Sequence, residues 1–424
     1  MRLERQPRQK GSTVRSVEEQ QARVTAAAVA PRPVRVPIAE AQGLMCAEEV
    51  VTEQPMPGFD QAAIDGYAVR SVDISTAGDG AEVVLPVMGV IEAGDRMPTR
   101  LQPNQAARIQ TGAAMPTLAD AVLPLRWTDG GATRVQVLRG VRSGAYVRRI
   151  GDDVQPDDVA VRAGAIIGPA LVGLLAAVGR ERVLVHPKPR VSVMSVGAEL
   201  VDISRTPGNA QVYDVNSYAL AAAARDAGAE ATRIGIVSTD PQELREVVES
   251  QLSRSEVVVI AGAVGGAAAE NLRAVLSQLG NMEVSRIAMH PGSVQGFGQL
   301  GPEGVPTFLL PANPVSALVV FEVLVRPLIR LSLGTRQPMR RFVRARTIAP
   351  IVSVPGRTGF LRGQLLRDQD TGDYLVEAIS EASGGSSHLL ASLAEANCLV
   401  VVPSEVAEVP AGEFVDVAFL AQRG

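Results

Sequence analysis

The sequence predicts a multidomain protein of α/β plus β class, with a doubly wound α/β domain set among small β modules. Three observations carry this. The 424 residues, 46% hydrophobic and 20% charged, can bury several cores, and a chain of this length divides into about two to four domains. Residues 189–334 alternate apolar strand-like runs with helical runs, the pattern of a parallel sheet covered by helices. Residues 53–150 and 335–424 break into short Val, Leu and Ile runs punctuated by Gly, Pro, Asp and Asn, which read as compact β modules.

Taken in order, residues 1–15 are basic and polar and read as a disordered arm. Ser16-Val17-Glu18-Glu19 is a capping box, so a helix follows to about Ala28, where Pro31 and Pro33 end it. Val83–Val90, Ala106–Thr111 and Arg134–Leu138 are short strands of a small barrel. Gly164–Val178 returns to helix, so the barrel reads as an insertion into a helical domain. Arg190–Ser195, Arg233–Val237, Glu256–Ile260 and Thr307–Leu310 are buried strands. Between them, Asp214-Val215-Asn216 caps the helix Ser217–Ala227, and Asp240 caps a helix running to about Leu252. Glu270–Leu279 is a further helix, and Val315–Leu333 a long one. Arg344–Ile348, Tyr374–Ala378, Cys398–Val402 and Phe414–Phe419 are the strands of the last module.

Composition excludes several function classes. Aromatics are only 3%, so stacking platforms for single-stranded nucleic acid are not expected, and the formal net charge of −4 argues the same way. Cys46 and Cys398 supply neither a disulfide framework nor a multi-cysteine metal site. His186, His290 and His388 follow no metal spacing. No apolar run approaches the roughly 18 residues that cross a bilayer. The opening MRLERQPRQK lacks the apolar stretch of a signal peptide. A cytoplasmic protein is expected.

Ligands on a doubly wound sheet bind beyond the carboxyl ends of the strands. That draws attention to Ser195–Glu199, Ser238–Asp240, Ala261–Glu270 and Pro311–Ser316. Phe59–Val69, Arg108–Ala113, Arg149–Asp153, Ser195–Leu200, Met289–Gly292, Leu310–Ala317 and Ala394–Asn397 stand in the order and spacing of a known family. The chain resembles the MoeA family, the molybdopterin molybdenumtransferases, which includes the E domain of gephyrin. The resemblance covers about residues 16–420. It implies an elongated homodimer with a helical/β domain (16–56 and 150–188), an inserted β barrel (57–149), an α/β domain (189–334) and a C-terminal β domain (335–424). It also implies that molybdate is inserted into a dithiolene pterin presented as an adenylylated intermediate, with Mg²⁺.

The resemblance places functional groups on particular residues. Asp65, Thr111, Asp153, Glu199 and Asp240 match catalytic positions. Gly262, Glu270, His290, Ser293, Asn313, Ser316, Arg362, Ser386 and Ser387 match positions that bind pterin, pyrophosphate or molybdate, with Asp240 and Glu270 as metal ligands. Several have a plain structural alternative. Asp65 and Thr111 each precede a glycine and fit turns, and Asp240 fits a helix cap. Glu199 has no local partner.

Other family features have changed. The Ser-Gly-Gly-Val-Ser-x-Gly-Asp-x-Asp loop is here Ala261-Gly-Ala-Val-Gly-Gly-Ala-Ala268-Ala-Glu270. Lys-Pro-Gly-Lys is His290-Pro291-Gly292-Ser293, and Leu-Pro-Gly-Asn-Pro carries Ala312 in place of its glycine, which matters if the backbone there needs positive φ. Of 41 basic residues only Lys10 and Lys188 are lysine. Mere drift of a lysine in so Arg-biased a chain would have left Arg at 290 and 293. Each charge-assisted hydrogen bond contributes roughly 1.5–3 kcal/mol, so losing two weakens molybdate binding by about 10²–10⁴-fold.

Two readings follow. The favoured one is a gephyrin-like dimeric scaffold with weak or lost transferase activity. It would hold an extended partner peptide near the C-terminal β domain, and so be recruited to a membrane receptor or to a tubulin-like protein at the division site. Phe342, Phe360, Tyr374, Phe414 and Phe419 are the aromatics available there. Gln21 stands where gephyrin has a peptide-binding phenylalanine, so the peptide would differ. The alternative is an active molybdenumtransferase, with a protonated His290 helped by Arg286.

Overall fold

The computed structural model describes residues 14–78, 82–95, 100–262, 267–379 and 390–420. The chain divides into two compact units, residues 35–185 and residues 1–34 with 186–424. Of the expected N-terminal arm only Val14 and Arg15 lie within the described residues. Arg15 is anchored: its N–H donates to the Arg286 carbonyl at 3.0 Å. The first helix, α1 (Val17–Thr25), opens on the expected capping box, with Ser16 Oγ accepting from Glu19 N and the Glu19 carboxylate accepting from Ser16 N. It stops short of Ala28, and the chain leaves it through i→i−3 turns at Ala27 and Ala28.

In the unit 35–185 five strands form one sheet: β1 (Gly66–Val69), β2 (Val83–Ile91), β3 (Ala106–Ile109), β4 (Ala121–Pro124) and β5 (Arg134–Val137), in the order β4-β1-β3-β2-β5. All five send side chains into one core, among them Tyr67, Leu85, Ala106, Leu123 and Val135, the filling of the small barrel expected here. On either side of the barrel in sequence, residues 41–50 and 161–185 share a separate core of Leu44, Cys46, Val50, Ile167, Leu175 and Val183. Helix α2 (Pro169–Ala177) belongs to this core. It begins later than Gly164 because Ile166 is still bridged to Met45.

The larger unit is built on a six-stranded sheet. Its strands are β6 (Arg190–Val196), β7 (Glu230–Val237), β8 (Val257–Ala261), β9 (Gly280–Arg286), β10 (Val294–Leu300) and β11 (Val305–Leu310), in the order β7-β6-β8-β11-β10-β9. The first four are parallel, as expected. β10 and β9 run antiparallel at the edge, so the sheet is mixed rather than wholly parallel. Alternation along β8 explains the two faces. Val257 and Val259 meet α3 (Asn216–Asp226), through Leu220 and Ala224, on one side. Val258 and Ile260 meet α4 (Pro241–Leu252) and α5 (Ala267–Leu279) on the other. The expected long helix is α6 (Pro314–Val320), a π turn (Phe321–Val325) and α7 (Arg326–Ser332) in succession. α1 packs on the π turn and α7.

The C-terminal module is a second small barrel. β12 (Phe342–Thr347), β13 (Thr358–Arg367), β14 (Tyr374–Ala378), β15 (Cys398–Val402) and β16 (Phe414–Phe419) pair in a closed ring, because β13 bonds to both β14 and β15. β13, the longest strand of the ring, was not read from the sequence, where Gly359 and Gly363 interrupt it. Phe360 is buried and Tyr374 packs edge-on against Phe419 at 6.1 Å, whereas Phe342 and Phe414 are about half exposed. Cys46 and Cys398 are both buried and free. Burial pushes both thiols up, Cys398 to about 12. Among the described residues no helix is long and apolar enough to cross a membrane.

Candidate functional site

Two of the expected catalytic residues meet in the unit 35–185. Asp65 follows the short strand Gln61–Ala62 and Thr111 follows β3. Asp65 Oδ1 accepts from Thr111 N at 2.7 Å and from Thr111 Oγ1 at 2.8 Å. These hydrogen bonds, the backbone one foremost, hold the exposed carboxyl of Asp65 below the usual carboxylate range. Both turn alternatives are therefore real, and the same turns leave a stable carboxylate at the surface. Nearby in sequence, Asp60 clamps the loop of Arg149: its carboxylate accepts from Ile150 N at 2.8 Å and from Arg149 Nη1 at 2.7 Å. The Ile150 N–H, then the Arg149 guanidinium, lower the Asp60 carboxyl. Asp153 is exposed, and its own N–H donates to the Met56 carbonyl at 3.0 Å.

In the larger unit Glu199, Asp240, Gly262, Glu270, Asn313 and Ser316 follow the carboxyl ends of β6, β7, β8 and β11. Gly262 follows β8 at φ +94°, and a Cβ there would fall 2.2 Å from the Val196 carbonyl oxygen. Only glycine lets this loop leave so close to β6. Glu199 is exposed after β6. Asp240 is the N-cap of α4: its Oδ1 accepts from Gln242 N at 2.9 Å and Glu243 N at 3.1 Å, as its structural alternative requires. Glu270 is exposed in the first turn of α5. Asn313 caps α6, its Oδ1 accepting from Ser316 N at 3.0 Å. Ala312 is absent from the positive-φ residues, so its methyl sits in an ordinary backbone conformation without strain.

Sequence reading missed one buried cluster here. Asp214, 1% exposed, caps α3 by accepting from Ser217 N at 3.1 Å, and it also accepts from Ser217 Oγ and, at 2.8 Å, from Ser195 Oγ on β6. Its capping role was legible. Its grip on β6 was not, because burial is set by residues distant in sequence.

His290 and Arg362 are brought together. The short strand Met289–His290 runs parallel to β13, with His290 opposite Gly359. Gly292, at φ +90°, is pinned against α6: a Cβ there would lie 2.3 Å from Val320 Cγ2. The turn is thereby set beside the helix that Asn313 caps. Between this turn and the C-terminal barrel lies a cavity of about 450 Å³, lined by His290, Val315, Ser353, Phe360, Leu361 and Arg362 among others. The volume falls within the roughly 300–1,000 Å³ of small-molecule sites. Arg362 is 8% exposed and carries a permanent charge. A buried cation and an imidazole in an otherwise largely apolar chamber form a donor set for a small oxyanion carried by an organic body. Ser293 is half-buried and does not line the cavity; its carbonyl accepts from Ile287 N at 2.7 Å. Ser386 and Ser387 lie outside the described residues. Among the described residues no three His, Cys, Asp or Glu side chains are grouped to hold a metal. Gln21 is not open to a peptide: it is half-buried, and its Nε2 donates to the Val323 carbonyl at 3.1 Å in the π turn.

Three family models match the chain: "MoeA N-terminal region (domain I and II)" over residues 15–179, "Probable molybdopterin binding domain" over 192–331 and "MoeA C-terminal region (domain IV)" over 337–420. Molybdopterin molybdenumtransferase 1 of Mycobacterium tuberculosis is 75% identical over 426 residues, covering 97% of this chain and all of that protein. Molybdopterin molybdenumtransferase of Haemophilus influenzae is 31% identical over 384 residues, covering 89% of this chain and 91% of that protein. Among solved structures, a molybdopterin biosynthesis MoeA protein from Pyrococcus horikoshii superposes with a TM-score of 0.81 at 31% identity, over 97% of this chain and all of that one.

Proposed function

The chain belongs to the MoeA family, and from that premise we propose that it is a molybdopterin molybdenumtransferase, inserting molybdate into the dithiolene of an adenylylated molybdopterin. The observation that carries this reading is the cavity in which His290 and Arg362, named from separate stretches of sequence, line one chamber. Arg362 would hold the molybdate dianion in its planar fork, His290 would add a second hydrogen bond, and the apolar wall would exclude water from the reacting oxygens. Gly262, whose own N–H donates to the Leu310 carbonyl at 3.0 Å, would leave room for the pyrophosphate to approach the backbone, and Asn313 and Ser316 would orient the molybdate end. Asp65, Thr111, Asp153 and Glu199 match the family's catalytic positions, and their alanine variants are expected to lose turnover.

Mg²⁺ would neutralise the pyrophosphate. It would arrive on the substrate phosphates and take the exposed Glu270 as a carboxylate ligand. Asp240 fits less well, since its Oδ1 already accepts two N–H groups. A homodimer, in which each site draws on both chains, is part of the proposal, and light scattering at micromolar concentration is expected to give twice the chain mass.

Two findings favour the enzyme over the peptide-binding scaffold: the 75% identity to a protein named as a transferase, and the commitment of Gln21 to the π turn. The test is a molybdate-insertion assay on the purified protein with the adenylylated pterin. Turnover that Arg362→Ala abolishes is the expected result. No turnover, together with a specific extended peptide recovered on the C-terminal barrel, would return the scaffold.

A further inference from the structure

The turn into α3 ties together the ends of three strands. Ser195 of β6, Ala261 of β8 and Leu310 of β11 stand in one row across the sheet, each the register partner of the next. Asp214 grips the β6 end of that row through Ser195 Oγ at 2.8 Å. Two residues on, Asn216 grips the β11 side: its Nδ2 donates to the Ala312 carbonyl at 2.8 Å. The two contacts span β8, which lies between β6 and β11. The turn is thus a strap over the carboxyl end of the sheet, where ligands of such sheets bind.

Only half of the Asn216 amide is used. The residue is 7% exposed, yet its Oδ1 is buried with no hydrogen-bond partner among the described residues. A buried acceptor left unsatisfied costs stability, so an asparagine here is kept for its one donation. What that donation holds is an exposed residue, Ala312, which packing alone does not fix. Ala312 leads directly into Asn313, whose Oδ1 caps α6 by accepting from Ser316 N. α3 also packs on α6, so the bond from Asn216 sets the start of α6 against the start of α3.

We propose that Asn216 is a positioning residue for the molybdate end of the site: acting through the Ala312 carbonyl, it sets where Asn313 and Ser316 meet the oxyanion. The proposal rests on the transferase reading above. Asn216 itself touches no reacting atom.

The test compares full-length wild type with Asn216→Leu, which keeps the branched shape without the donor, and with Asn216→Ala. Steady-state kinetics with sodium molybdate and the adenylylated pterin are run beside a thermal melt and hydrogen exchange of the Ser316 amide. Both variants are expected to raise the KM for molybdate about tenfold, as for one weakened hydrogen bond to the dianion. The kcat and the KM for the pterin should stay as they are, the mark of lost binding rather than lost chemistry. Exchange at Ser316 should quicken. The melting temperature should hold, because the lost hydrogen bond is offset by removal of an unsatisfied acceptor. An unchanged molybdate KM, or unchanged exchange at Ser316, in an active Asn216→Leu would overturn the positioning role and leave the transferase standing. A lower melting temperature with all kinetic constants worsened together would make Asn216 a structural group and likewise overturn it. Wild type without turnover would overturn the transferase reading and this inference with it.

Discussion

At position 290 an imidazole faces the cavity where a lysine would present a fixed charge, while the hydroxyl residue at 293 lies off the cavity wall. The two substitutions are therefore not equivalent. The double variant His290→Lys with Ser293→Lys is expected to tighten molybdate binding, by up to about 10²–10⁴-fold. His290→Lys alone should carry the larger part, since its side chain already lines the chamber. Calorimetric titration of the two single variants and the double checks this, and a gain confined to Ser293→Lys would reverse the assignment. Position 312 teaches the opposite lesson: a glycine replaced by alanine looks damaging in sequence, yet the backbone there has no positive φ to lose.

Among the elements, α4 isolates a question of role. Asp240 caps it through Oδ1, and removing an N-cap costs about 0.5–2 kcal/mol. Asp240→Ala is expected to lower stability by that amount in urea unfolding, and Asp240→Asn to keep it, since an amide oxygen also caps. If Asn retains stability but slows molybdate insertion, the carboxylate serves the reaction as well as the helix; if both are retained, it is a cap only. Caps were legible because their chemistry is local: Ser16 with Glu19, and Asp240 with the next two N–H groups, are decided within four residues. The β9–β10 edge was not legible, because Gly296, Gly298 and polar residues such as Asn281, Glu283 and Gln299 hide its strand character, and its pairing is decided by β11. β13 escaped for the same reason. The site divides likewise: His290 and Arg362 were found through family motifs, whereas the hydrogen bond from Ser195 Oγ to Asp214 joins residues distant in sequence and offered no signal there.

Across the larger unit, one carboxylate ties the start of the chain to the far edge of the sheet. Glu283 on β9 accepts from Ser285 Oγ and pairs with Arg23 of α1 and with Arg15, the latter at 2.9 Å. The Ser285 hydroxyl, then the two guanidinium groups, lower its carboxyl from 4.5 to about 2. A depressed carboxylate stabilises the fold fully above its unfolded value and loses that contribution as pH falls from about 4.5 to about 2. Glu283→Gln is therefore expected to lower the melting temperature at pH 7, with the gap to wild type closing over that acid window. The carboxylate is 41% exposed on its side chain, so added salt should narrow the gap at pH 7 as well. A gap that persists unchanged at pH 2 would assign the effect to packing. The two silent thiols have a practical corollary. The thiolate is the form that attacks an electrophilic label, and both native sulfurs are buried and shifted away from it. A single cysteine introduced at the exposed Val352, which borders the cavity, would take up a fluorophore alone, giving an optical reporter of ligand entry in the otherwise unaltered chain.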